Sequence, residues 1–237
     1  MARAVVQIAP SIFRIPTLGD FINSYAFIDD DGQVALVDCG LKRAPARIVR
    51  GLAALGKHPR DVTRIILTHA HNDHAGGAAE LLASSSSPSV LAHHDDATFL
   101  RTGTLPPRDI SGGLGRLLHR LPGGSFSPVE GVEELRDEQI LDVAGGLKVV
   151  HTPGHTPGHI SLLHPGSQTL ITGDSIFNMN ARMTWPFSAF CTSFSQTKLT
   201  ANVLADLDYR TAAFTHGPEI RETGREAIRS FLARKAA

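Results

Sequence analysis

The sequence of 237 residues predicts an α/β fold. Short β-branched runs open the chain, helical stretches then alternate with strands, and the second half repeats that alternation. Residues 12–15, 25–28, 34–37 and 65–67 are apolar runs separated by Gly and Asp turn signals, which predicts an N-terminal meander. Residues 44–55 and 75–83 carry helical spacing, each ahead of another short apolar segment. The serines at 84–87 with Pro88 make a solvated loop. Residues 101–128 turn rich in Gly and Pro (TGTLPP, SGGLG, LPGGS) around the helix-like LGRLLHRL. We read them as an insertion able to act as a mobile lid, with Leu114, Leu117, Leu118 and Leu121 as its apolar face. Strands at 147–150, 160–163 and 169–172 follow, the last two joined at a His164-Pro165-Gly166 turn as a hairpin. A helix at 196–207, a strand at 212–215 and an amphipathic helix at 219–235 complete the chain, read as one domain over 1–237. No short-period repeat is present, which excludes solenoids.

Composition narrows the function. Lys plus Arg and Asp plus Glu each total 23, so the formal charge is zero and nothing draws nucleic acid. A hydrophobic content of 42% is enough for a full core. The two cysteines, Cys39 and Cys191, form no C-x-x-C, so neither a disulfide framework nor a thiolate zinc site is expected. The first residues contain no apolar run of signal-peptide length, and no later stretch is long enough to span a bilayer. The expectation is a cytoplasmic protein acting on a small molecule, with no membrane or nucleic-acid partner and its oligomeric state open.

The chemistry concentrates in ILTHAHNDHAGG, residues 66–77, directly after an expected strand and before a helix. In extended backbone residues i and i+2 point the same way, so His69 and His71 can bind one metal. The turn that follows swings Asp73 and His74 toward a second. In a chain with 12 His, a chance H-x-H-x-D-H is rare.

That motif resembles the metallo-β-lactamase fold superfamily, and four further elements fall in its order: Asp38 closing VALVDCG, His155 within HTPGHTPGH, Asp174 in LITGDS and His216 in AFTHGP. The resemblance implies a four-layer αβ/βα sandwich of two mixed sheets with helices outside and the site along one edge. It assigns His69, His71 and His155 to one metal, Asp73, His74 and His216 to a second, and Asp174 as the bridge. Asp38 would orient the ligand loop, and Asp73 would also accept a proton in catalysis. Imidazole and carboxylate donors suit two divalent ions, zinc first, with iron or manganese also accepted. Such a pair acidifies a shared water and polarises a carbonyl or phosphoryl oxygen.

Other candidates are given plainer roles. His151 and His159, flanking His155, are expected to support structure. His93 and His94 begin a helix that Asp95 or Asp96 would cap, with no third metal there. His58, His119 and His164 are read as surface residues. Cys39 is a packing residue. The aromatic stretch from Phe177 through Trp185, Phe187 and Phe190 to Phe194 divides between core and an apolar substrate wall, with Arg182 as a possible contact for an anion.

The branch that the pattern most resembles is glyoxalase-II-like, which implies hydrolysis of an acyl bond. Because the chain shows no dedicated acid beyond Asp73, thioesters and activated esters or lactones are the expected substrates. The sequence up to Ala237 is not expected to include the C-terminal glutathione-binding helices of glyoxalase II, and no glutathione-binding residues are carried over. A mononuclear-iron persulfide dioxygenase shares much of this ligand set, and a metal-binding protein without catalysis is the third class. Flavodiiron proteins carry Glu where His71 stands. β-Lactamases lack a bridging aspartate like Asp174, and the tyrosine of lactonases has no match, since Tyr209 lies beyond the expected helix.

Overall fold

A computed structural model describes residues 4–120, 124–180 and 182–236. A seven-stranded sheet takes its strands in chain order: β1 (Val6–Ala9), β2 (Ile12–Pro16), β3 (Asn23–Ile28), β4 (Val34–Val37), β5 (Val62–Leu67), β6 (Ser89–His93) and β7 (Val132–Leu135). The first four pair antiparallel and the rest parallel. The second sheet contains β8 (Ile140–Leu141), β9 (Leu147–His151), β10 (Ile160–His164), β11 (Thr169–Ile171) and β14 (Thr211–Ala213), ordered β14-β11-β10-β9-β8. Only β11 and β14 are parallel in it. A ribbon of β12 (Phe177–Met179) and β13 (Arg182–Thr184) stands apart. Both large sheets are therefore mixed.

Side-chain alternation along single strands builds the layers. Tyr25 and Phe27 of β3 face one way and Ala26 the other, and Ala35 and Val37 of β4 oppose Val34 and Leu36. The first set joins Leu147, Val149, Ile160 and Leu162 of the second sheet in a core between the sheets. The other set packs under α1 (Pro45–Ala54), α3 (Ala78–Ser84) and α4 (His94–Thr102) through Ile48, Leu52, Leu81 and Leu100. Ile48 and Leu52 lie one helical turn apart, so they share that face, and each is worth about 1.5–3 kcal/mol of burial. On the far side, Leu163, Leu170, Ala212 and Phe214 meet Leu204 of α7 (Val203–Asp206) and Ile228, Phe231 and Leu232 of α8 (Gly224–Ala236). Helix, sheet, sheet, helix is the four-layer sandwich expected. Burial on both faces explains why the strands read as continuous apolar runs rather than strict alternation.

Several boundaries differ from the sequence reading. The helix expected at 75–83 is two pieces, α2 (Asn72–Ala75) and α3, parted at Gly76 and Gly77. There the backbone of 39–42 comes so close that a Cβ on Gly77 would strike the Cys39 carbonyl. The helix expected at 196–207 is likewise split, into α6 (Phe194–Thr200) and α7. The last helix starts at Gly224 rather than 219, because Ile220 is taken into a bridge with Ala212. The insertion begins later than residue 101: α4 continues to Thr102 and ends at Gly103 in the left-handed conformation, φ 67°. Its helix-like piece is α5 (Gly113–His119). Strands β1, β7, β8, β12 and β13 were missed; β7, with Glu133 and Glu134 exposed, has too little apolar pattern to read. Among the described residues no helix is long and apolar enough to cross a membrane.

Candidate metal centre

Parallel pairing sets strand ends side by side. Val37 of β4 pairs with Ile66 of β5, and Ile171 of β11 with Ala213 of β14, so Asp38, His69, Asp174 and His216 all leave the sheets at one edge. The Ile160 N–H donates to the Thr68 carbonyl at 2.9 Å, joining the two sheets there and bringing in the 152–159 loop with His155.

All seven expected ligands converge. His69 Nε2 lies 3.0 Å from His71 Nδ1, which lies 3.0 Å from His155 Nε2. His216 Nε2 is 3.4 Å from Asp73 Oδ2, and His74 Nε2 is 3.8 Å from Asp73 Oδ1. Asp174 sits between the groups: Oδ2 is 3.1 Å from His155 and 3.3 Å from His216, and Oδ1 is 3.3 Å from His74. The Nε2 atoms of His74 and His216 are buried without a hydrogen-bond partner. Orphaned nitrogens aimed at carboxylates, in an all-nitrogen-and-oxygen donor set, fit a pair of divalent ions.

The surrounding hydrogen bonds fix which ring nitrogen faces inward. Asp38, left-handed at φ 59°, accepts from the Thr68 N–H and hydroxyl and from His74 Nδ1 at 2.8 Å each. With its hydroxyl proton committed to Asp38, Thr68 Oγ1 accepts from His69 Nδ1 at 3.0 Å. His216 Nδ1 donates to the Phe21 carbonyl at 2.6 Å. In each case Nε2 keeps its lone pair for the centre. His159 has both nitrogens engaged: Nε2 accepts from the Asp174 N–H at 2.7 Å and Nδ1 donates to the Thr152 carbonyl at 3.0 Å. It supports the ligand loop, as expected, and has no nitrogen left for a metal.

Electrostatics follow the same division. Burial, reinforced by neighbouring imidazoles, pushes His69 well below the usual range and His71 to about 3. Burial also opposes charge on His155 and His216, but the Asp174 carboxylate outweighs it and carries them to about 9 and about 10. Against the same burial penalty, His216, His74 and His155 hold Asp174 well below the carboxylate range. The edge is thus built around ionised carboxylates that require positive charge beside them.

Other expectations are corrected. Asp96 is no helix cap; the His93 ring holds that position, accepting weakly from the Asp95 N–H at 3.4 Å. Asp96 is fully buried and accepts from the Ala70 N–H, the Thr156 hydroxyl and the Gly158 N–H at 2.8, 2.7 and 2.6 Å, tying the His69–His71 loop to the His155 loop. His164 is buried, not on the surface, with Nε2 donating to the Ala144 carbonyl. His58 is exposed as expected, and the side chain of His119 lies outside the described residues. His93 stacks on His151 at 3.8 Å, whose Nε2 donates to the Pro157 carbonyl. The structure does bring His93, His94 and Asp95 within ligand reach of one another, a grouping the sequence reading set aside. Cys39 is fully buried, with its thiol pushed up by burial and by Asp38, as a packing residue should be. Cys191, which the sequence reading gave no role, places Sγ 3.5 Å from His155 Nδ1. No local signal announces that contact.

The centre opens on a cavity of about 450 Å³. Phe177, Phe187 and Phe190 line it, whereas Trp185 packs on Phe231 in the core, so the aromatic stretch divides as anticipated. Arg182 is exposed on β13 and does not line the cavity; Arg108 of the insertion does. Among the described residues the insertion contributes Leu105, Pro106, Arg108 and Gly124 to the lining. Leu117 is exposed, and the side chains of Leu114 and Leu118, with all of Leu121, lie outside the described residues. The insertion, read from the sequence as a mobile lid, is tied at its described residues to the aromatic loop. Asp109 Oδ2 accepts from the Phe194 N–H at 2.7 Å, and the Thr192 hydroxyl donates to the Pro107 carbonyl at 2.8 Å.

Comparison with known proteins agrees with this geometry. The family model of the metallo-beta-lactamase superfamily matches residues 18–216, and the chain belongs to that superfamily of metallo-hydrolases. A probable metallo-hydrolase of Bacillus subtilis, YybB, is 26% identical over 82% of this chain and 80% of its own length. Hydroxyacylglutathione hydrolase of Xylella fastidiosa is 29% identical over 70% of this chain, which spans 50% of that protein. The metallo-beta-lactamase family protein TTHA1429 of Thermus thermophilus superposes with a TM-score of 0.75 at 26% identity, covering 97% of this chain and 81% of its own.

Proposed function

We propose that this chain hydrolyses an acyl bond in a small molecule, a thioester or an activated ester or lactone, at a centre of two divalent metals, zinc by preference. His69, His71 and His155 would hold one ion, Asp73, His74 and His216 the other, and Asp174 both. The observation that carries this reading is the convergence of seven nitrogen- and oxygen-bearing side chains at the floor of a largely apolar cavity. When bound, the ions would supply a water acidified toward neutral pH and positive charge for the acyl oxygen.

The chain's own residues do the rest. Asp38 and Thr68 hold the imidazoles in the ligating tautomer. Asp73, its side chain 32% exposed, is the more exposed of the two carboxylates lining the cavity and is placed to accept a proton there. In the net reaction the bond from acyl carbon to sulfur or oxygen breaks, the carbon gains hydroxyl, and the leaving atom gains the proton. Beyond the metal-binding cluster, the described lining offers no carboxyl, lysine or tyrosine to protonate a leaving group. A thiol of pKa about 8.5 departs without such help, whereas an amine does not. The relation to hydroxyacylglutathione hydrolase supports the same bond type.

Thioesters, esters, lactones, phosphodiesters and a persulfide, offered to one metal-quantified sample, test this. Turnover confined to the acyl substrates is expected. Oxygen uptake with the persulfide, or no turnover of any substrate by protein carrying its metals, would overturn it.

A further inference from the structure

Five of the ten exposed large apolar side chains among the described residues surround this one cavity: Leu18, Phe21, Leu41, Phe187 and Phe190. Phe21, Phe187 and Phe190 are 50%, 62% and 48% exposed. Apolar side chains gathered in this way at a concave mouth, with reactive groups at the bottom, mark a binding surface rather than ordinary surface scatter.

The walls come from three separate segments, each fastened to the centre. The 17–22 loop is held by the Phe21 carbonyl, which accepts a hydrogen bond from His216 Nδ1. The aromatic loop is strapped to the His155 loop, with the Thr192 N–H donating to the His155 carbonyl at 2.9 Å and the Ser193 N–H to Gly154 at 2.8 Å. The insertion is fastened in turn to the aromatic loop through Asp109 and Pro107. The apolar walls are therefore held at fixed positions relative to the metal-binding floor. Apart from the metal-binding cluster, the described lining carries one charged side chain, Arg108, above the Phe190 ring at 6.0 Å. A ligand rich in charges, such as a peptide thiol with two carboxylates and an ammonium, would lose its hydration there and find only Arg108 and the Asn72 amide as partners on the described walls.

We propose that the substrate carries an apolar acyl group, an alkanoyl chain that seats against Phe21, Phe187 and Phe190 while its carbonyl lies over the centre. This rests on the acyl-hydrolase reading and goes on to name the acyl class. The walls are not part of the metal cluster, so selectivity and metal content are separable.

The experiment uses metal-loaded enzyme and thioesters of one small thiol, N-acetylcysteamine, with acetyl, butanoyl, hexanoyl, octanoyl and lactoyl groups. Free octanoate binding is measured in parallel by calorimetry. The expected kcat/KM rises by roughly fourfold per methylene from acetyl to hexanoyl, with lactoyl below butanoyl. Octanoate should bind more tightly than acetate. Phe187→Ser with Phe190→Ser should flatten the chain-length slope and weaken octanoate binding, whereas Leu199→Ser, on an exposed face of α6 outside the cavity, should change neither. A flat series, or a preference for lactoyl, would overturn the apolar-acyl assignment and leave the hydrolase reading standing. If neither these thioesters nor the esters and lactones turned over, the hydrolase reading would fail, and octanoate binding that ignored both phenylalanines would overturn the assignment independently.

Discussion

The floor and the wall of the cavity are built in opposite ways. On the floor, His69 and His74 are locked by Thr68 and Asp38, His216 by the backbone carbonyl of Phe21, and Asp38, Thr68, His159 and Asp96 are all fully buried. The wall is made of half-exposed aromatics on loops, joined to the floor mainly through backbone hydrogen bonds. Burial with full hydrogen bonding fixes positions to a fraction of an ångström, which a reaction centre requires. Exposed apolar side chains on loops can change without disturbing those bonds. The comparison teaches that changes to the floor should act on metal and turnover together, and changes to the wall on KM and substrate choice.

Asp174→Ala should break this comparison hardest. Three imidazoles lie within 3.3 Å of that carboxylate. Metal content should collapse, and kcat/KM should fall by more than about 100-fold, beyond the 10–100-fold usual for residues that only orient ligands. Elemental analysis alongside kinetics checks it, and retained metal with normal turnover would remove Asp174 from the centre.

Asp96→Ala sharpens the comparison, because Asp96 touches no metal-binding side chain yet spans two ligand loops. It strands two buried N–H groups and a hydroxyl, each costing about 1–3 kcal/mol. Tm and metal affinity should fall together, the affinity by roughly 10–100-fold. Competition with a chelator measures the second, and an unchanged affinity would reduce Asp96 to a packing role.

Leu105→Ser, in the wall, should raise KM by roughly tenfold at most with metal content unchanged. Any loss of metal in this variant would show that wall and floor are not separable.

The smallest effect is expected away from both. Burial, with His151 and His94, depresses His93 to about 4 from 6.5, against the pull of Asp95 and Asp137. The unfolded chain binds that proton first, so the contribution to stability is present above pH 6.5 and is lost as pH falls toward about 4. His93→Asn should flatten that part of the Tm-against-pH curve and leave pH 8 unchanged. An equally steep variant would exclude His93 as the source.

How far the sequence reached follows from where each role originates. His69, His71, Asp73 and His74 were legible because strand and turn geometry alone bring them together. His155, Asp174 and His216 were reached through the resemblance to the metallo-β-lactamase superfamily, whose motifs fall here at strand ends. Asp96 was misread because its partners lie 26 to 62 residues away and its local context is a helix start. Thr68 acquires its contact with Asp38 only when β4 pairs with β5, and Cys191 its contact only when the aromatic loop packs on the His155 loop. Arg182 was chosen as the cationic wall residue for its place in the aromatic stretch, but the β12–β13 ribbon leaves it exposed, and Arg108 lines the cavity in its place. Tyr209, correctly left out of the site, is buried in the outer core.

The central claim is that seven side chains form two metal positions sharing Asp174. Elemental analysis of purified chain, repeated on His71→Ala and His216→Ala, addresses it most directly. The account predicts about two divalent ions per wild-type chain, as in sites with ions roughly 3.5–4 Å apart, and loss of metal from opposite halves of the cluster in the two variants. One tightly held iron per chain, unaffected by His216→Ala, would contradict it.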